Sequence, residues 1–414
     1  MKRAIAIALA DRAASFSLRL LGLLNLIFLA AFYFAMLFAA SQANAAEEIS
    51  CTGENMLAQM ERDDPQALKG IREEAAKVEN GGALLWRIEK DGGAAPSYLF
   101  GTMHVSDPRV VRLPDAAQQA FDAADTVVIE TTDILDQSKM MQAMVQKPDL
   151  MMFTDNTTLF SLLSPENRAA VETALKARNI PPASVAKMKP WMIAAMVALP
   201  ACELARKAKG AAVLDAKLAN DGKEAGKDIG GLESAIDQLE AMASLPMDFH
   251  MKGLVETLRL GDKVDDVIET MVQLYLQEET ASFWPFFRVA LPEQDSDGGF
   301  ADFEERLITA RNHTMAENAV AFLDKGKAFI AVGAMHLPGE EGVIALLRKN
   351  GYRVEKVSAE PVPIVGGDVD AHGCKPSAGY SWCAKTAQCE RPWELAKEHG
   401  FDNSAEGFEA FCGN

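Results

Sequence analysis

Residues 100–107 read FGTMHVSD and residues 331–339 read AVGAMHLPG, and the fold turns on reading the two together. Each places Gly-x-Met-His directly behind a run of strand-forming residues. Glycine lets the backbone turn at a strand end where a side chain would clash. The histidine that follows then projects above the sheet edge. The chain holds six histidines, and two of them, His104 and His336, share this one setting.

The flanking sequence repeats as well. GGALLWRIEKDGGAAPSYLFG (residues 81–101) reads as two strands about an Asp-Gly-Gly turn, and the second strand delivers His104. LPDAAQQAFDAAD, with Pro114 near its start, reads as a short helix, and Thr126–Glu130 (TVVIE) as a buried β-branched strand. Late in the chain KAFIAVG is a strand, GAMHLPGEE a loop, GVIALLRKN a helix with Gly351 at its C-cap, and YRVEKV the next strand. The expected fold is α/β (α+β). Its central, mostly parallel sheet is built from two pseudo-repeated strand–GxMH loop–helix–strand units. Such loops gather at the carboxyl edge of a sheet, where sites of open α/β folds lie.

Other segments are read around this frame. Residues 55–79 read as one amphipathic helix, and residues 136–318 as a largely helical insertion containing a Ser164-Pro165-Glu166 helix start. Met140, Met141, Met144, Met151 and Met152 cluster in the insertion and are read as core filling rather than a soft-metal surface. Lys189-Pro190-Trp191 reads as packing at a helix start. Residues 360–373, rich in Pro and Gly, read as a linker to a small cysteine-rich module at 374–414. The main α/β domain is thereby set at 46–359.

The N-terminus is basic at Lys2, Arg3, Arg12 and Arg19 and then uncharged from Leu20 to Ala40, followed by Ala43-Asn44-Ala45. This pattern predicts a signal peptide at 1–45 with export to the periplasm or secretion. Uncleaved, the segment would anchor the protein in the inner membrane; cleaved, no stable membrane insertion remains. The net charge of −18 becomes about −21 without those residues. An acidic body argues against nucleic acid or an anionic membrane surface as partner. Six cysteines, with no C-x-x-C pair, predict disulfides rather than a zinc ribbon or thioredoxin-type motif. Cys374, Cys383, Cys389 and Cys412 allow three pairings among themselves, which leaves Cys51 and Cys202 as a long-range staple.

No G-x-S-x-G elbow, Walker A loop or H-E-x-x-H occurs. The chemistry therefore rests on the histidine pair and nearby carboxylates. Two neutral imidazoles and one carboxylate suffice to hold a divalent transition metal with open positions. Glu130, at the end of the strand after the first crossover, is the best carboxylate, although a strand-end glutamate is also an ordinary surface residue. Arg311 and Asn312 are placed at the end of a helix leading into the second repeat. There an arginine can steady an oxyanion or simply form a surface ion pair. Glu233 opens a helix after the short strand Asp228-Ile229-Gly230, as an outer acid or a favourable first-turn anion. His250, His313, His372 and His399 lack matched partners and are read as structural or exposed.

Gly101-Thr102-Met103-His104, Ile129-Glu130, Gly231-Leu232-Glu233 with Gln238, Ala310-Arg311-Asn312 and Gly333–Gly339 resemble, in order, the motifs of the TraB/PrgY/GumN family. The resemblance runs from Ala83 to Val357. It implies a fold distantly shared with erythromycin esterase and the haem-binding ChaN type. It also implies the chemistry of the family's TIKI-type metalloproteases, in which the paired G-x-x-H motifs belong to the active site, and a divalent metal such as Mn²⁺, Co²⁺ or Zn²⁺.

The expected protein is an exported metal-dependent hydrolase acting on peptides or proteins. His104, His336 and Glu130 are the expected metal ligands, and Glu130, Arg311 and Glu233 the expected catalytic groups. The alternative is a non-catalytic periplasmic protein that binds haem or a peptide through the same histidines. Substrate, metal identity and oligomeric state are left open.

Overall fold

A computed structural model of the protein describes residues 49–292, 299–357, 372–374 and 379–413. The expected signal segment, most of the linker, and the side chains of Met140 and Met144 lie outside the described residues.

Six strands form the main sheet: β1 (Leu85–Glu89), β2 (Ser97–Thr102), β3 (Thr126–Ile129), β4 (Asp228–Gly231), β5 (Ala328–Gly333) and β6 (Arg353–Lys356), in the order β4-β3-β5-β2-β1-β6. β5 pairs in parallel with both β3 and β2, and β4 in parallel with β3. β1 is antiparallel to β2, as the Asp-Gly-Gly hairpin requires, and also to β6. The sheet is thus mostly parallel.

Side-chain alternation puts a hydrophobic layer on each face. Phe100, Val127, Ile129, Phe329 and Ala331 pack to one side with Leu214 and Leu218 from the helix Leu214–Glu224. Leu99, Val128, Ile330 and Val332 pack to the other, against Met315 and Ala316 of the helix Ala310–Leu323 and Val343 and Ile344 of the helix Val343–Lys349. Apolar layers on both faces explain why the strands read as near-continuous hydrophobic runs. Gly351 ends the last of these helices with φ +86°, a conformation that glycine adopts without a Cβ penalty.

The helical insertion has its own core, including Leu159, Leu175, Ile193 and Leu254. Ser164 caps its helix Pro165–Ala177 by accepting from Asn167 N at 3.2 Å. Met151 is buried while Met141 is 55% exposed, so the methionines share no single surface. The helix read over residues 55–79 is broken into Met56–Asp63 and Pro65–Ala75. Asp64 leaves the helical region there to cap the second helix, and Pro65 cannot donate to the first. No helix among the described residues is long and apolar enough to cross a membrane.

All six cysteines are paired: Cys51–Cys202, Cys374–Cys389 and Cys383–Cys412. Such pairing fits an oxidising compartment. Near the C-terminus two short strands, Ser381–Cys383 and Gln388–Glu390, and two helices, Pro392–His399 and Ala405–Cys412, surround a small core of Cys383, Leu395, Phe408 and Cys412.

Candidate active site

Three adjacent strands, β3, β5 and β2, end at the same edge and deliver Glu130, His336 and His104 in that spatial order. Registers Ile129↔Ala331 and Thr102↔Gly333 bring the three strand ends level. Glu130 Oε1 lies 3.9 Å from His104 Nε2 and 3.7 Å from His336 Nε2. It accepts from Gly333 N at 2.7 Å. Glycine at position 333 leaves room for these side chains. A Cβ there would stand 3.1 Å from Glu130 Oε1, 3.4 Å from His336 Cδ2 and 3.7 Å from His104 Nε2, between the three side chains.

The helix Ala310–Leu323, packed on one face of the sheet, supplies the supporting groups. Arg311 and Asn312 are its second and third residues, not its last. A π-helical turn, Glu304–Thr309, runs directly into it, so the helical stretch continues past these residues to Leu323. Arg311 Nη2 donates to Glu130 Oε2 at 2.7 Å, and its Nε and Nη2 both donate to Glu233. Arg311 Nη1 reaches Leu307 O at 3.1 Å. Gln238 Nε2 bridges Glu130 Oε2 at 3.0 Å and Glu233 Oε1 at 2.7 Å. Gln238 is positioned by the helix Ala235–Ala243, which Ser234 and Asp237 start with a capping box.

Asn312 is buried and fixes His336. Its Nδ2 donates to Glu341 O at 2.8 Å, so its Oδ1 faces His336 Nδ1, 2.6 Å away. His336 Nδ1 therefore carries the proton, and Nε2 presents a lone pair toward Glu130. Burial, the largest influence, pushes His336 down to about 4, so the imidazole is neutral at neutral pH. Burial alone would raise Glu130, but the two imidazoles, Arg311 and the Gly333 amide hold it down, at about 2. Burial opposes the charge on Arg311 too, yet Glu233 and Glu130 hold it raised.

The opposite face of the sheet contributes a residue that the sequence reading did not single out. Asp215, at the start of the helix Leu214–Glu224, is 4% exposed, and its Oδ1 accepts from Thr102 Oγ1 at 2.8 Å. Its Oδ2 lies 3.6 Å from His104 Nε2 and has no hydrogen-bond partner. Burial first, then the charge of Glu130, raises its pKa. In the sequence Asp215 looks like any acid in a first helical turn. Tyr275 completes this side by donating to Gly101 O at 2.8 Å.

The five expected site residues are therefore brought together. Glu130 contacts both histidines and Arg311, while Glu233 contacts Arg311 and Gln238. The His104 side chain is 58% exposed and that of His336 5%, so one imidazole is open to solvent and the other enclosed. A cavity of about 460 Å³ adjoins the site through Asn312 and Met335 and is walled by Trp284, Pro285, Ile308 and Pro338. His250 is buried with its Nε2 unpartnered, and burial takes it down to about 4. His313 pairs with Glu341 at 2.8 Å, and His372 and His399 stack on Trp382 and Phe411.

Two strand-end histidines facing one strand-end glutamate, over a mostly parallel sheet covered on both faces, define an α/β protein with a histidine–carboxylate centre. The chain belongs to the TraB/PrgY/gumN family, whose model matches residues 84–356. Among curated relatives it is similar to metalloprotease TIKI1 of Danio rerio, 27% identical over 67% of this chain and 63% of that protein. It is also similar to metalloprotease TIKI1 of Homo sapiens (24%, over 77% and 70%) and to a metalloprotease TIKI homolog of Nematostella vectensis (22%, over 70% and 70%). The chain spans about three-fifths of the length of the Danio rerio relatives, 63% and 60%. No solved structure matches it significantly.

Proposed function

We propose that this chain is an exported, metal-dependent hydrolase of peptide bonds, with a divalent ion held by His104, His336 and Glu130. The observation that carries the reading is the convergence of both imidazole Nε2 atoms on one ionised carboxylate oxygen, with the His336 tautomer set by Asn312. The names of the relatives agree with it. Among the described residues no group of three or more His, Cys, Asp or Glu side chains is closed to metal-binding distances. The donor set nevertheless suits a cation. The enclosed imidazole is neutral, its free lone pair and the carboxylate meet, and the unpartnered Asp215 Oδ2 lies beside the second imidazole. When bound, such an ion supplies Lewis-acid polarisation and acidifies water.

The chain's own groups prepare this chemistry. Arg311, Gln238 and the Gly333 amide fix Glu130 in one orientation. Glu233 orients Arg311 and is enclosed with it. One Nη1 hydrogen of Arg311 has no partner among the described residues, which leaves it for a developing oxyanion. His104 stands on the solvent side, where a substrate carbonyl arrives, and the neighbouring cavity has room for a substrate side chain. The cysteine pairing and the N-terminal segment support export; metal identity and substrate sequence are left to experiment.

The test is metal analysis of the purified protein beside its His104→Ala/His336→Ala variant, followed by cleavage of a peptide library with and without chelator. Metal and cleavage lost together support the reading. Cleavage that survives a strong chelator removes it, and peptide bound without turnover makes the chain a binding protein instead.

A further inference from the structure

Asp215 Oδ2 is a carboxylate oxygen inside the protein with nothing donating to it. Leaving a buried acceptor unsatisfied costs about 1–3 kcal/mol, and more when it is charged. Its other oxygen is held by Thr102, so the side chain cannot turn Oδ2 toward a donor without giving up a buried bond. What Oδ2 faces is His104 Nε2, the same atom that Glu130 Oε1 approaches from the neighbouring strand. Two buried carboxylates thus flank one imidazole, and Arg311 compensates only Glu130.

We propose that Asp215 is the fourth protein ligand of the divalent ion, so that the centre has two imidazoles and two carboxylates. This rests on the reading of a metal at His104, His336 and Glu130. The donor separations of 3.6, 3.7 and 3.9 Å are a few tenths wider than the roughly 3.4 Å between tetrahedral donors on ~2.1 Å bonds. These are three of the six separations among the four donors, and each joins an imidazole to a carboxylate. Two carboxylates neutralise a divalent charge, and an all-nitrogen-and-oxygen set without thiolate favours Mn²⁺, Fe²⁺, Co²⁺ or Zn²⁺ over soft ions.

The assignment also gives the variable position of each Gly-x-Met-His motif a meaning. In the first motif that position is Thr102, which holds Asp215. In the second it is Ala334, which is buried in the core, and the outer partner of His336 is Asn312 instead. The two motifs are alike in their ligands and different in how those ligands are held.

The experiment is calorimetric titration of the metal-free full-length mature protein with Co²⁺ and Mn²⁺, with the visible spectrum of the Co²⁺ form and thermal unfolding with and without ion. Wild type, Asp215→Asn, Thr102→Val and His336→Ala are compared. Asp215→Asn, nearly isosteric, keeps the acceptor for Thr102 and removes the buried acid, so the metal-free variant is expected to melt no lower than wild type. It should bind Co²⁺ more weakly by more than the roughly 10–100-fold that loss of an outer partner costs. It should also show an altered Co²⁺ spectrum and lose the metal-induced rise in Tm. Thr102→Val should fall within that 10–100-fold range with the spectrum kept. Co²⁺ affinity within twofold of wild type in Asp215→Asn, with His336→Ala deficient, overturns the assignment and leaves the three-ligand reading standing. A wild-type protein that binds no divalent ion overturns both.

Discussion

Replacing Gly333 by alanine places a single methyl in the middle of the site. The backbone at Gly333 has φ −52° and ψ 136°, which alanine adopts freely, so the substitution acts through the new atom alone. That atom would lie 3.1 Å from Glu130 Oε1, where ordinary contact begins at 3.4 Å. Glu130 must give by a few tenths of an ångström, against its bonds of 2.7 Å to the Gly333 amide and 2.7 Å to Arg311. Overpacking of this size costs about 1–3 kcal/mol, a fall in Tm of roughly 2–10 °C for a chain of this length. The effect on the ion is larger, because the methyl is within 3.7 Å of three of the proposed ligands, Glu130, His336 and His104. Affinity for Co²⁺ is expected to drop by more than about 100-fold, or ~2.7 kcal/mol. Gly339→Ala is the control. With φ +89° and no atom within 4 Å, it strains the backbone without touching the site, so it should lose stability and keep affinity. Calorimetric titration and differential scanning of the two variants decide the matter. Gly333→Ala binding the ion within twofold of wild type would refute the proposed cradle.

Three further outcomes are open to measurement. Asn312→Ala frees the His336 tautomer and leaves Glu341 O without its donor, so metal affinity should fall about 10–100-fold and stability by about 1–3 kcal/mol; unchanged affinity would show that the tautomer is set elsewhere. Burial lowers His250 from 6.5 to about 4, so between those values the unfolded chain binds a proton that the folded one does not. Stability contributed above pH 6.5 is therefore lost as the pH falls toward 4, by up to about 3 kcal/mol, and His250→Leu should flatten that part of the pH–stability curve. Replacing Cys51 and Cys202 by serine opens a link across 151 residues, for which chain entropy gives about 5 kcal/mol; denaturant titration should show a larger loss than for the 15-residue Cys374–Cys389 link, at about 3 kcal/mol.

The strands, the hairpin and the two histidine loops are legible in the sequence because they rest on local patterns: alternation, glycine at strand ends, and a repeated motif. Glu130 follows from the same logic, since one strand end fixes its place. Asp215 does not. Its informative contact, with Thr102, spans 113 residues, and nothing in the sequence near it departs from an ordinary helix start. The position of Arg311 is misread from the sequence because its helix runs on for twelve residues beyond it, to Leu323, with no cap or breaker near Arg311 to mark an end. The break at Asp64-Pro65 carries a local signal, an Asp cap before a proline, that the longer amphipathic pattern obscures. For the four tail cysteines, spacing alone leaves three pairings, and only the packing around Cys383 and Cys412 decides among them.

The strand order has a consequence for how the protein is made. β5 lies between β2 and β3, yet it is the last of these three to leave the ribosome, about 200 residues after β3. Until then the two earlier strands have no common neighbour, and Glu130 and His104 have nothing to hold them level. The centre thus comes into being only once β5 has been made and inserts between two strands far earlier in the chain, a pairing of long sequence separation. A truncated product ending before residue 328 carries His104, Glu130, Asp215, Glu233 and Arg311 but neither β5 nor His336, so the site is not assembled; the topology itself withholds the chemistry from such fragments.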